Sequence, residues 1–354
     1  MTKKPTLFND QVIGRKHIVS KRLSLEENYE VYQLKDNQFL VLIIGLPMSL
    51  IEDSLDVKNL LLNGKNYFYV IFPETFTELK IKEVFKTMLN PKGLKSIAGM
   101  DSLKKVFSED IIEPLKQKER FAKFKVNLPN AMLLFGPPGC GKTYFAMKIA
   151  EEIGYNLMVT SQADFGSTYI HGTSLKIKEI FDQSRKNAPT LLLIDEIDSL
   201  FPKRETLGSG ENYKQEEINE FLVQLNQSNQ SQVLVLAATN KPQLLDDALL
   251  RTGRMDKLIY IGLPDLNSRI ELFKFYLRNR PHDDLDYNLI GVISEHFNCS
   301  DIEYICNEAA KSAVYNNHEK ITLDHLNNVI NRTKPSVSDS SLTIYQNFEK
   351  MMRR

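Results

Sequence analysis

Several features that mark whole classes of protein are scarce or missing in this chain of 354 residues. It has only three cysteines, Cys140, Cys299 and Cys306, too few and too unevenly spaced for a disulfide framework or a four-ligand zinc site, so a reducing, cytoplasmic compartment is expected. It has no excess charge: 45 Lys and Arg balance 45 Asp and Glu, and without a basic surplus nucleic acid is not the expected partner. It also lacks a long hydrophobic run. The longest, residues 39–51, is broken by Gly45, Pro47 and Ser49 and falls short of the roughly 20 residues that span a bilayer, so no membrane span is expected. The first ten residues are polar and carry no apolar core of a secretory signal. No period of about 20 to 50 residues recurs, which excludes solenoids and propellers. What is present, 42% hydrophobic and 25% charged residues, is ordinary globular protein, long enough for two or three domains.

The pattern changes twice along the chain. Up to about residue 90 it favours short strands: 29–34 and 38–44 flank Lys35-Asp36-Asn37 as a hairpin, 67–72 is a third run, and 78–89 has a helical spacing before Pro91-Lys92-Gly93. Residues 1–90 read as a small α+β domain with no catalytic constellation, suited to an adaptor or client-recruitment role. Across 91–264, apolar runs at 131–135, 156–160, 190–194, 232–238 and 257–261 alternate with helical stretches. That alternation predicts an α/β fold with a doubly wound parallel sheet, binding its ligand at the carboxyl ends of the strands. Residues 265–334 carry no further strand and spell helices at 266–280, 287–296, 301–316 and 323–332, the third opened by a capping-box pattern of Ser300 with Glu303. Residues 335–354 form a tail helix.

One segment carries explicit chemistry. Gly136-Pro137-Pro138-Gly139-Cys140-Gly141-Lys142-Thr143 matches G-x-x-x-x-G-K-[ST] between a strand and a helix, where backbone N–H groups and the helix N-terminus cradle phosphates. Lys142 is placed to neutralise β/γ-phosphate charge, Thr143 to ligate Mg²⁺, and Tyr144 to follow them against the nucleotide. Cys140 has two readings here: a thiol activated by the helix N-terminus, or a small space-filling residue. The apolar strand 191–194 then delivers Asp195 and Glu196 to its exposed end. Asp195 suits the Mg²⁺ shell, and Glu196 suits a base that polarises the water attacking the γ-phosphate. Asn240, after a third strand, can orient that water. Arg251 and Arg254 flank Gly253 further on.

In this order the phosphate loop, the stretch DEIDSLFPKR at 195–204, Ala238-Thr239-Asn240 and Arg251-Thr252-Gly253-Arg254-Met255-Asp256 resemble the AAA ATPases in the narrow sense, the family containing katanin, spastin, the vacuolar sorting ATPase and the proteasomal ATPases. The resemblance covers residues 94–354. It includes Ser96-Ile97-Ala98-Gly99, similar to the segment whose backbone holds adenine, and a tail with Tyr345 and Phe348 similar to the C-terminal helix of the katanin and vacuolar sorting group. The resemblance implies that Asn240 is a sensor, that Arg251 and Arg254 act as fingers on ATP held by a neighbouring subunit, that 265–332 is a lid, and that six copies form a ring. It also implies that Tyr169, Ile170 and His171 sit in the central pore against an extended polypeptide. The sequence departs from the family's usual pattern in His171, which precedes Gly172, and in Cys299-Ser300 before Asp301-Ile302.

The expected activity is ATP-driven, chaperone-like remodelling or unfolding of a protein client by a homohexamer, with ATP and Mg²⁺ as ligands. The string His318-Glu319-Lys320-Ile321-Thr322 lacks the second His of H-E-x-x-H, so a protease, like an adaptor, would be a separate partner chain. Two other functions use the same core. A nucleic-acid-directed motor calls for a basic stripe that this neutral chain lacks, and a non-threading assembly switch would dispense with Tyr169.

Overall fold

In the computed structural model the described residues are 12–13, 17–25, 29–34, 38–43, 58–62, 65–73, 75, 77, 80–81, 92–125, 131–165, 172–203, 213–228, 231–251, 253–255 and 257–352. They fall into two compact units, Met1–Pro91 and Lys92–Arg354.

The first unit is built on a six-stranded antiparallel sheet of β1 (Val12–Ile13), β2 (His17–Leu25), β3 (Tyr29–Leu34), β4 (Phe39–Ile43), β5 (Lys58–Leu62) and β6 (Lys65–Phe72), in the order β1-β2-β3-β4-β6-β5. The expected hairpin is present: β3 and β4 pair with Val31 opposite Val41, and β4 pairs with β6 through Val41 opposite Val70. Those three valines are buried, as are Tyr32, Leu34, Leu40 and Phe72. β1, β2 and β5 carry no clear apolar alternation (β2 reads HIVSKRLSL), and the sequence pattern missed them. Most of the helix expected over 78–89 lies outside the described residues.

The second unit holds the predicted doubly wound sheet. Its strands are β7 (Ala131–Phe135), β8 (Asn156–Thr160), β9 (Thr190–Ile194), β10 (Val233–Thr239) and β11 (Lys257–Tyr260), all parallel, in the order β11-β7-β10-β9-β8. The central three are wholly buried because helices cover both faces, which is why they read as unbroken apolar runs. Alternate side chains serve opposite layers. Leu133, Phe135, Leu192, Ile194 and Val235 join Phe181 and Phe221 from helices α2 (Gly172–Lys186) and α3 (Tyr213–Ser228) on one face. Met132, Leu134, Leu191, Leu193 and Leu236 join Phe107 and the helix α1 (Lys142–Ile153) residues Phe145 and Ile149 on the other.

After β11 come four helices, α4 (Leu266–Leu277), α5 (Tyr287–Ile293), α6 (Cys299–Tyr315) and α7 (Leu323–Arg332), around a core of their own that includes Phe273, Ile302, Ile305 and Leu326. The cap of α6 differs from expectation. The box is formed by Asn298 and Asp301, not by Ser300 and Glu303: Asn298 has the extended backbone of a cap (φ −83°, ψ 178°), and its side chain accepts the Asp301 N–H. The helix starts two residues early because Asn at that position satisfies an orphan N–H that Ser300, already inside the first turn, does not reach. A final helix, α8 (Asp339–Met352), returns to the sheet, where Tyr345 and Phe348 are buried among the residues of the α2 and α3 layer.

Candidate nucleotide site

The parallel register brings the chemistry to one edge. Phe135 lies opposite Thr239, and Ile194 opposite Ala237, so the segments starting at Gly136, Asp195 and Asn240 leave neighbouring strands at their carboxyl ends.

The loop after β7 turns where only glycine fits. Gly136 has φ +151°, and a Cβ there would meet the Ile261 carbonyl oxygen at 2.0 Å; Gly139 has φ +74°, and its Cβ would meet Asn298 Nδ2 at 2.6 Å. Gly141 then caps α1, whose first residue is Lys142. Lys142 is buried, and its Nζ donates to the carbonyls of Gly136 (2.9 Å) and Pro137 (2.7 Å). Burial holds its pKa below the ordinary value, against the pull of Asp195 in the other direction. Thr143 Oγ1 donates to Asp195 Oδ2 at 2.9 Å, and Asp195 Oδ1 accepts the Glu196 N–H at 2.9 Å. Glu196 has φ +53° and an exposed side chain, a backbone that lifts its carboxylate out of the strand's path. Tyr144 is exposed on the first turn of α1.

Cys140 is fully buried, and burial pushes its thiol up to about 12. Burial outweighs the opposing pull of Lys142, which favours the space-filling reading over the activated thiol. It is a space-filler in the layer of Phe145 and Leu134.

The lid side meets this loop directly. Asn298 Nδ2 donates to Pro138 O (3.1 Å) and Ser300 N to Gly139 O (3.1 Å), so Cys299-Ser300, the departure noted in the sequence, is a hydrogen-bonded seat for the phosphate loop. Ile97 is buried; Gly99 packs so closely on α4 that a Cβ would meet Ser268 Cα at 2.5 Å, and Met100 N donates to Ser268 Oγ at 2.7 Å. Ala98 thus lies between the phosphate-loop layer and the lid, partly buried against the lid core. Arg269 fixes the junction by donating to Gly291 O and Pro264 O, both at 3.0 Å.

Asn240 is held by its backbone neighbours. Thr239 Oγ1 donates to Asp198 and accepts from Lys241 N (2.8 Å), and the Asn240 carbonyl accepts from Tyr345 Oη (2.7 Å). Its side-chain Oδ1 is buried with no partner among the described residues. Of the two arginines, Arg251 is exposed, whereas Arg254 is half-buried and donates to the Ala248 carbonyl. Tyr169, Ile170 and His171 lie outside the described residues. Reading the sequence missed Asn298, Arg269 and the contact of Tyr345 with Asn240. Asn298 had a visible signal, an Asn three residues before an Asp at a helix start; the other two are pairings across the fold with no local pattern.

These donors suit a magnesium nucleotide. Thr143 Oγ1 and Asp195 Oδ2, 2.9 Å apart, are the hard oxygens that Mg²⁺ takes, and the glycine cradle and buried ammonium beside them match a polyphosphate.

A parallel sheet ending in such a loop defines a P-loop nucleoside triphosphatase domain. Residues 132–263 match the ATPase family associated with various cellular activities (AAA), so the chain carries an AAA ATPase domain. It is 33% identical over 261 residues, 73% of its length, to an ATP-dependent zinc metalloprotease FtsH of Alkalihalophilus pseudofirmus, of which it covers 38%. It is 36% identical over 239 residues, 67% of its length, to FtsH 1 of Thermoanaerobacter sp., covering 39%. A Plasmodium falciparum protein named for a cell division cycle ATPase is 36% identical over 220 residues, 62% of this chain and 18% of that one. The chain thus spans about two fifths of the FtsH relatives. Among the described residues no helix is long and apolar enough to cross a membrane, and no group of three or more His, Cys, Asp or Glu is placed to hold a metal.

Proposed function

We propose that this chain hydrolyses ATP to remodel a protein client, working as a homohexameric ring with the client in its pore. The observation that carries the hydrolytic part is the contact of Thr143 with Asp195, 2.9 Å apart, with Glu196 the next residue and Asn240 at the same sheet edge. Magnesium held by Thr143 and Asp195 would neutralise phosphate charge there. Lys142, released from the Gly136 and Pro137 carbonyls, binds the β/γ-phosphates. Glu196 accepts the proton of the attacking water through its exposed carboxylate, and Asn240 orients that water. Arg251, exposed, and Arg254 supply positive charge to the site of the adjacent subunit. Ile97, Ala98 and Gly99 hold the base between the core and the lid.

The ring and the threading rest on the resemblance, through Tyr169, Ile170 and His171. The N-terminal sheet unit is assigned to client recruitment. No protease step is assigned to residues 1–354, which carry no H-E-x-x-H, and a separate protease or an adaptor is a further proposed partner.

A Glu196→Gln chain tests the reading, because the amide keeps the shape of the side chain and cannot act as a base. It should bind ATP, assemble as hexamers by native mass spectrometry, and retain a protein client that Tyr169→Ala rings release. Monomers under saturating ATP would sink the ring, and unchanged phosphate release would remove Glu196 from the chemistry.

A further inference from the structure

The last helix reaches the centre of the site from the far end of the sequence. α8 lays Phe348 edge-on against Phe135, the residue before the phosphate loop, with ring centroids 5.0 Å apart at 70°. One turn earlier Tyr345 stacks on Tyr260 of β11 (centroids 6.3 Å), and its hydroxyl donates to the Asn240 carbonyl at 2.7 Å, across 105 residues of sequence. Both side chains are 6% exposed. Packing alone would be served by phenylalanine at 345, so the hydroxyl has a separate purpose, and among the described residues it bonds to the one whose side-chain Oδ1 is buried with no partner among them. The Asn240 Oδ1 takes no hydrogen bond from the described residues that would fix its orientation. The carboxamide is aimed by its backbone, which is tied on one side by Thr239 Oγ1 to Asp198 and on the other by Tyr345. Burial holds the tyrosine pKa above its ordinary value, so the hydroxyl stays a donor.

The helix is itself anchored to the lid. Ser336, just before it, donates through its backbone N–H to Asp301 Oδ2 (3.2 Å) and through its hydroxyl to Asp301 Oδ1. Asp301 is the second half of the cap whose first half, Asn298, donates to Pro138 O in the phosphate loop. The two loops of the site are therefore joined by a path of hydrogen bonds through the lid and the C-terminal helix.

The geometry points to Tyr345 as a positioning residue, which aims the Asn240 side chain at the reacting phosphate by pinning the Asn240 carbonyl. This rests on the ATPase reading above. Tyr345→Phe removes the bond and keeps the ring. Its expected effect is a fall in kcat of about tenfold, the consequence of a catalytic group displaced by a fraction of an ångström, with KM for ATP and the melting temperature nearly unchanged. In an Asn240→Ala background the same change should cost nothing further, since Tyr345 acts through Asn240. Backbone amides of residues 239–244 should exchange hydrogen faster in ligand-free Tyr345→Phe than in the wild type. An unchanged kcat, additive losses in the double variant, or unchanged exchange at 239–244 would each overturn the assignment. A wild-type chain without turnover would overturn the ATPase reading instead, and the exchange experiment would still decide whether the hydroxyl pins the loop.

Discussion

The two loops that face each other at the sheet edge are built by opposite means. The loop at 136–143 carries its shape in its own sequence: glycines stand where φ is positive, and Lys142 bonds to carbonyls five and six residues back. The Asn240 loop has no glycine, and its shape comes from Asp198, 41 residues before Thr239, and Tyr345, 105 residues after Asn240. A locally encoded loop suits ground-state binding, which needs only a stable cradle. A remotely encoded loop depends for its position on the core and the tail helix together.

The sharpest way to break this comparison concerns the arginines beyond Asn240, the most remote part of the site if they act between subunits. An arginine finger contributes roughly 10³ to 10⁵ in turnover, so Arg251→Ala/Arg254→Ala should be nearly inactive and still bind ATP. Mixed with Lys142→Ala chains, which lack the phosphate counter-charge, it should regain activity wherever an intact phosphate loop meets intact arginines. No recovery in rings shown to be mixed would return the arginines to their own subunit. Arg254 already donates to Ala248, so Arg251→Ala alone should disturb turnover without loosening the loop, whereas Arg254→Ala should do both.

Next in size is Glu196→Gln, expected to lower hydrolysis by about 10² to 10⁴ with ATP affinity retained. Lys142→Ala should show the reverse balance, weak binding above all. Calorimetric titration and phosphate release separate the two, and equal loss of both quantities in both variants would erase the division between a binding loop and a chemical edge.

The same contrast explains what could be read from sequence. β7 and β9 were legible to the residue, because a strand buried on both faces is a bare apolar run between polar turns, and β8, though an exposed edge strand, shows the same short apolar run. The phosphate loop was legible because its constraints are local. β2 was not, since an antiparallel strand such as HIVSKRLSL mixes polar and apolar residues and its partners lie in other segments. Tyr345 and Phe348 were visible as part of a tail resembling that of a known group, yet nothing in their spacing tells that the hydroxyl ends on Asn240. Cys140 kept two readings, a reactive thiol or a space-filler, because the quantity that separates them, burial, is not written in the motif. That gives a prediction of its own. Cys140 should resist alkylation at neutral pH until the chain unfolds, read by mass spectrometry of the labelled peptide; rapid labelling of the folded chain would restore the activated thiol.

A smaller effect tests the cradle itself. Gly139→Ala places a side chain at φ +74° and against Asn298. Left-handed backbone costs an alanine about 1 to 2 kcal/mol, and the contact adds to it, so the lid should be pushed off the loop and ATP affinity should fall. Gly154→Ala, also at positive φ (+71°) with open space around its Cβ, should show the backbone cost alone and bind ATP normally. Equal behaviour of the two would mean that the lid does not seat on Gly139.

The finest distinction lies in Asn298, which serves two masters. Its Oδ1 accepts the Asp301 N–H at 2.7 Å and caps α6, while its Nδ2 donates to Pro138 O at 3.1 Å and ties the lid to the phosphate loop. Asn298→Ala loses both, and a lost cap alone costs about 1 kcal/mol. Asn298→Asp keeps an acceptor at the positive end of the helix, where a carboxylate is favoured, but replaces the donor facing Pro138 with an oxygen that repels the carbonyl. The two variants should therefore part company. Amides in the first turns of 299–315 should exchange faster in the alanine chain and nearly normally in the aspartate chain, while ATP binding should weaken in both. If the aspartate chain binds ATP like the wild type, the bond to Pro138 is dispensable and the phosphate loop needs no support from the lid. That outcome would make the contrast with the Asn240 loop sharper still, with one loop holding its shape without the Asn298 bond and the other tied to Asp198 and Tyr345 far along the chain.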